Sequence, residues 1–200
     1  DWEEFLFTRN QPNIPDVGVE KIFSGNDESE VFMAGIQGVY RTYDDGDSWI
    51  DTNAGFVGAE VVDLVTAADG TMYATTYSLG LFKSTDGGKS WRKVTNGLAK
   101  GKSGMIDISI HLSNPDIMVM AYEADENIPD GEPGTGVYIS YDAGESWNFL
   151  LKHAVRPFYH GQIEIDPINP ENIYVVSRGF MISNDGGKNF YSRRWRTDGG

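Results

Sequence analysis

The chain has 200 residues, 40% of them hydrophobic and 12% aromatic, and carries a net charge of −14 with no cysteine. Such a composition excludes a disordered tail. The acidic surface disfavours nucleic acid and anionic lipid, no apolar run approaches the ~18–20 residues that cross a bilayer, and disulfides, thiolate chemistry and cysteine-ligated zinc are ruled out.

In chain order, residues 1–15 open with Asp1-Trp2-Glu-Glu-Phe-Leu-Phe and read as an orphan outer strand with its exit loop, so the sequence starts within a unit of structure. Residues 16–57 read as a first four-stranded unit, with strands over Val19–Phe23, from Val31, from Gly38, and after a turn ending at Trp49. Residues 58–101 repeat that plan, with a first strand at Val61–Val65. Residues 102–156 repeat it again, with a first strand at Ile106–Ile110 and an acidic insertion at 122–136. Residues 157–200 form the fourth unit and a tail, with a first strand at Gln162–Ile165.

Each unit carries one turn motif between its third and fourth strands. The four copies are Thr42-Tyr-Asp-Asp-Gly-Asp-Ser-Trp49, Ser84-Thr-Asp-Gly-Gly-Lys-Ser-Trp91, Ser140-Tyr-Asp-Ala-Gly-Glu-Ser-Trp147 and Ser183-Asn-Asp-Gly-Gly-Lys-Asn-Phe190. Their aspartates, Asp44, Asp86, Asp142 and Asp185, recur at 42, 56 and 43 residues, and the long interval holds the insertion. The chemistry fits a tight hairpin. The glycine takes φ > 0 without strain, the carboxylate accepts backbone N–H groups across the turn, and the terminal aromatic packs on the blade. Four-stranded units at this period predict an all-β fold: a β-propeller of antiparallel blades, four complete plus the orphan strand, forming part of a larger ring. The remaining blades would come from the same longer chain or from other copies.

With these turns the sequence resembles the BNR/Asp-box repeat propellers, which include sialidases, the sortilin (VPS10) domain and xyloglucanase-type hydrolases. The stretch Arg156-Pro-Phe-Tyr-His-Gly-Gln-Ile-Glu-Ile-Asp-Pro-Ile-Asn-Pro-Glu-Asn-Ile-Tyr-Val-Val176 is most similar to secreted bacterial sortilin-like repeat proteins. The resemblance implies that Asp44, Asp86, Asp142 and Asp185, with Trp49, Trp91, Trp147 and Phe190, are structural and remote from any ligand.

Propeller geometry places the functional surface on the face opposite these turns, where strand four leads into the next blade and strand two into strand three. Two loops there stand out. The insertion carries Glu126 and Asp130 among other carboxylates, and reads as a solvated loop, a lid or a cation-binding loop; its spacing does not match the EF-hand pattern, so calcium has little support and no cofactor is expected. The entry to the fourth unit carries Arg156, Phe158, Tyr159 and His160, a stacking surface beside hydrogen-bond donors, which either recognises a sugar or peptide or plugs the gap between blades. Glu20, Asp63, Asp107 and Glu164 fall at similar places in the four first strands. Asp107 and Glu164 are the candidate catalytic carboxylates, although hydrogen bonds to neighbouring strands explain such residues equally well.

Histidine, serine and glycine patterns show no zinc site, nucleophile elbow or phosphate cradle. The expected function is an extracytoplasmic binding or scaffold propeller, secreted, on the cell surface or periplasmic, with a polysaccharide or protein ligand. The alternatives are a glycoside hydrolase with carboxylates near the channel and a sortilin-like peptide-binding segment.

Overall fold

The computed structural model describes residues 18–25, 29–55, 60–125, 127–129, 131–153, 161–177 and 179–193. Among the described residues, sixteen strands form four separate four-stranded antiparallel sheets, each in sequence order. The first blade holds β1 (Val19–Ser24), β2 (Val31–Gly35), β3 (Gly38–Thr42) and β4 (Ile50–Asp51). The second holds β5 (Glu60–Thr66), β6 (Met72–Tyr77), β7 (Gly80–Ser84) and β8 (Arg92–Val94). The third holds β9 (Ser103–Ile110), β10 (Met118–Ala124), β11 (Gly136–Ser140) and β12 (Asn148–Lys152). The fourth holds β13 (Gln162–Ile165), β14 (Ile173–Val176), β15 (Phe180–Ser183) and β16 (Tyr191–Arg193). The proposed orphan strand at 1–15 lies outside the described residues.

Register makes the blades comparable residue by residue. The rows Phe23–Phe32–Arg41, Val65–Tyr73–Lys83, Ser109–Val119–Ile139 and Glu164–Tyr174–Ile182 are equivalent, each ending one residue before the turn's Ser or Thr. The middle strands are largely apolar on both faces because the blades stack face to face. β5 packs on β1 and β2, β9 on β5 and β6, and β13 on β9 and β10. The core is accordingly three inter-blade layers. Phe32 and Val39 meet Leu64, Met72 and Phe82; Tyr73 and Leu81 meet Ile106, Met118 and Met120; Val119 and Ile139 meet Ile163, Ile173 and Val175.

The turn tryptophans do more than cover their own blade. Trp91 donates its backbone N–H to Ala54 O (2.7 Å) and its indole N–H to Thr52 O (3.0 Å), both in the exit loop of the preceding blade. Trp147 repeats the first contact with Asn96 O (3.1 Å). Gly55 and Gly97 permit this approach: a Cβ on either would lie within 2 Å of the tryptophan carbonyl, and both adopt positive φ. The fourth strand therefore begins one residue after the aromatic, at Ile50, Arg92, Asn148 and Tyr191, rather than on it.

A second contact joins the blades on the turn side. Arg41 Nη1 donates to Gly87 O (2.7 Å), and Lys83 Nζ to Ala143 O (2.7 Å), so a cation from one blade seals the turn of the next. Tyr73 Oη donates to the same Ala143 carbonyl.

Candidate functional site

The four turns are closed hydrogen-bonded units. In the second blade, Asp86 Oδ1 accepts from Ser90 N (2.9 Å) and Ser84 Oγ (2.7 Å), and Oδ2 from Ser90 Oγ (2.6 Å). Ser84 Oγ in turn accepts Gly88 N (2.9 Å). Asp44, Asp142 and Asp185 repeat the pattern, with the Asn189 side-chain amide replacing a serine hydroxyl in the last. Hydrogen bonds from Ser48 hold the Asp44 carboxyl down at about 2, and those from Ser90 do the same for Asp86. A carboxylate that is always ionised and already accepts three donors is a poor acid or base for catalysis.

Along the inner strands, register corrects the alignment expected from sequence. Lys21, Asp63, Asp107 and Gln162 are the equivalent residues, opposite Ala34, Thr75, Ala121 and Val176. Bulges at Val19/Lys21 and Val61/Asp63 insert one residue, so Glu20 falls in the bulge and Lys21 takes the place expected of it. Glu164 lies two residues further on, level with Ser109, Val65 and Phe23.

These side chains stitch one first strand to the next. Lys21 pairs with Asp63, whose Oδ1 also accepts Leu64 N (2.7 Å). Asp107 Oδ2 accepts Ile163 N (2.6 Å), Ser109 Oγ donates to Glu164 Oε2 (2.6 Å), and Ile165 N donates to Ser109 Oγ (3.2 Å). The two candidate catalytic carboxylates thus sit on adjacent strands, each bonded to the other's strand. Asp107 is the chemically unusual one. Burial pushes its carboxyl up to about 6 against the pull of the Ile163 N–H; Asp63 and Glu164 add repulsion, and Lys21 offsets part of it.

On the face opposite the turns, a cavity of about 230 Å³ opens between the second and third blades. Val94, Leu98 and Ala99 give it an apolar lining, Tyr122 closes it on the side of the third blade, and Lys93 and Lys100 supply cationic groups. Ser78, a non-glycine residue at φ 77°, turns nearby and donates its N–H to Ser103 O (2.8 Å) across the same blade gap. The exit loop that lines the cavity, Thr95-Asn96-Gly97-Leu98, repeats Asn53-Ala54-Gly55, but no individual residue in it marks a pocket; Lys93 and Lys100 read as ordinary surface lysines in sequence.

The insertion borders this cavity. β10 extends into it as far as Ala124, because Glu123 Oε2 accepts Met105 N (3.1 Å) and Thr135 Oγ1 accepts Ala124 N (3.0 Å). Asp125 accepts the backbone and side-chain N–H groups of Asn127, and Glu132 lies 3.7 Å from Lys100. Among the described residues, no three His, Cys, Asp or Glu converge as a metal-ligand set. At the next gap, His153 Nε2 is 2.7 Å from Ser177 Oγ, and burial lowers its pKa. Glu126, Asp130, Arg156, Phe158, Tyr159 and His160 lie outside the described residues.

A family model described as "Sortilin, neurotensin receptor 3" matches residues 37–175. No curated protein matches the chain. Solved structures with similar folds include an ancestral GH74 enzyme (24% identity, TM-score 0.67, 94% of this chain and 26% of that one). A GH74 xyloglucanase from Xanthomonas campestris aligns at 18% identity and TM-score 0.65 over 86% of this chain and 28% of the other. YCF48 bound to a D1 peptide aligns at 17% identity and TM-score 0.58, over 90% and 55% respectively. The chain thus spans about a quarter of the GH74 structures and about half of the YCF48 structure. At these identities the likeness establishes the propeller fold.

Proposed function

The chain belongs to the Sortilin-Vps10 family, and on that premise we propose that it is an extracytoplasmic binding module, holding a carbohydrate or protein ligand on the face opposite the aspartate turns. The observation that carries this reading is the cavity between the second and third blades, set on that face and lined by apolar groups and lysines. Ligands are held in concave sites that join apolar lining to a few placed polar groups. The opposite face supports the same division of labour, because each turn carboxylate is saturated by its own turn; we assign those turns to folding. The peptide in a YCF48 structure and the xyloglucanase activity named for a GH74 structure make peptides and polysaccharides the first ligands to try.

The test is a polysaccharide and peptide array probed with the wild-type chain, with K93E/K100E, and with Y141A, which alters an exposed residue of a turn on the other face. The reading expects signal that K93E/K100E abolishes and Y141A leaves intact. Loss with Y141A alone would transfer the site to the turn face.

One observation favours a second reading as a glycoside hydrolase. A carboxyl raised to about 6, as Asp107 is, keeps its proton up to mildly acidic pH, where it can serve as a general acid, with Glu164 as its partner carboxylate. Release of reducing ends from a polysaccharide, lost in D107N and in E164Q, would support it.

A further inference from the structure

Asn96 is followed by glycine, and the sequence contains no other Asn-Gly pair. The seam between the second and third blades imposes that glycine. Gly97 lies against the main chain of Trp147 at φ 77°, and a Cβ there would stand 1.8 Å from Trp147 O. The seam between the first and second blades has the same plan, with Gly55 against Trp91, but Ala54 stands where Asn96 does. Ala54 O and Asn96 O both accept the backbone N–H of the next blade's tryptophan, so the contact needs no particular side chain at this place. Asn96 and Gly97 are exposed. Among the described residues, the Asn96 carboxamide and the Gly97 N–H make no hydrogen bond. Other asparagine side chains are engaged: Asn53 Oδ1 accepts Val39 N (2.7 Å), and Asn172 and Asn189 donate to Asp166 and Asp185. A hydrogen bond of 3.2 Å, from Leu98 N to Thr95 O, closes the turn around Asn96 and Gly97.

We propose that Asn96 is a site of self-modification, converting to isoaspartate and aspartate through a cyclic imide formed with Gly97. Solvent base takes the Gly97 N–H proton, the nitrogen attacks Asn96 Cγ, and the Cγ–Nδ2 bond breaks to release ammonia. Water then opens the imide. Addition at Cγ gives aspartate; addition at the original main-chain carbonyl gives isoaspartate, with the chain rerouted through Cγ. The balance is one water consumed and one ammonia released, with no change of oxidation state. Asparagine is a thermally labile residue, and a following glycine offers its nitrogen unshielded, having no side chain to block the approach. The seam thus demands at 97 the residue that leaves Asn96 most reactive. Both products add a carboxylate to the loop whose Thr95 and Leu98 line the cavity beside Lys93 and Lys100. Isoaspartate also lengthens the main chain by one carbon where Asn96 O meets Trp147 N (3.1 Å) and Gly97 packs on Trp147 O, which weakens the seam between these blades.

The test incubates the 200-residue chain at pH 6 and pH 8 beside a synthetic peptide spanning residues 90–102, with N96A as the control. Ala54 shows that this turn forms with alanine in place, and far-ultraviolet circular dichroism checks that the variant folds. Peptide mapping by mass spectrometry locates the amide-to-acid mass gain, and an isoaspartate-specific methyltransferase with a labelled methyl donor counts the isoaspartate. The wild type should gain both signals at residue 96 before any other asparagine does. The gain should be faster at pH 8 than at pH 6, because the attacking nitrogen must lose its proton. N96A should show neither signal in that segment. The isoaspartate form, separated by anion exchange, should unfold at lower urea than the unmodified chain. A chain that keeps the Asn96 amide through several half-lives of the peptide overturns the proposal. So does modification that begins at another asparagine, or a rate that does not rise with pH. An isoaspartate form as stable as the unmodified chain overturns the weakened seam.

Discussion

Replacing Asp107 by Asn should make the fold more stable at neutral pH and remove one component of its pH dependence. In the folded chain the Asp107 carboxyl is raised from 3.8 to about 6, chiefly by burial. Between about pH 4 and pH 6 the folded state therefore keeps a proton that the unfolded chain has already released, and stability falls as pH rises through that window. Below pH 4 both states are protonated and there is no penalty; above pH 6 the whole penalty is present. A difference of this size corresponds to ~3 kcal/mol at most, and residual solvent contact brings the expectation to about 1–3 kcal/mol. Asparagine keeps an oxygen to accept Ile163 N (2.6 Å from Asp107 Oδ2) and cannot ionise. Urea unfolding of both proteins at pH 4, 5, 6 and 7 reads the difference. D107N should match the wild type near pH 4 and exceed it at pH 7. A variant equally destabilised at every pH would refute the reasoning, because it would mean that Asp107 acts through a bond asparagine cannot replace.

Other consequences concern the turns and the seams. Ser84→Ala should cost about 1–3 kcal/mol in chemical unfolding, because it leaves the buried Gly88 N–H without its acceptor; Ser90→Ala, on the exposed side of the same turn, should cost clearly less. Ala143 occupies the left-handed region at φ 53°, where the equivalent residues Gly87 and Gly186 are glycine, so Ala143→Gly should raise stability by about 0.5–1 kcal/mol in thermal melts. Lys83→Met and Tyr73→Phe each leave the Ala143 carbonyl one donor, whereas the double variant leaves none; a double-mutant cycle should therefore show a loss larger than the sum of the singles.

Strand order, blade number and the four turns were legible in sequence because each is a local pattern repeated in phase. Gly88 with Asp86, or Gly144 with Asp142, announces a hairpin wherever it occurs. The inner row is legible only to within two residues: the bulge at Val19/Lys21 adds a residue without leaving a strong mark, so Lys21 takes the place expected of Glu20, while in β13, which pairs with β14 in unbroken register, Gln162 and not Glu164 holds that place. The cavity was harder still. Its lining joins β7, β8 and an exit loop of one blade to Tyr122 of the next, and a gap between blades depends on how two sheets meet rather than on any motif. The inter-blade role of Trp91 was hidden for the same reason: its partners, Thr52 and Ala54, lie 39 and 37 residues upstream.

Titrating the strongest array ligand into wild-type chain and into D107N/E164Q, while assaying for reducing ends, tests binding without turnover most directly. The account predicts that both proteins bind with similar affinity and that the ligand is recovered intact. Reducing ends released by the wild type and absent with D107N/E164Q would contradict it, and would make the inner-strand carboxylates of β9 and β13 an active site.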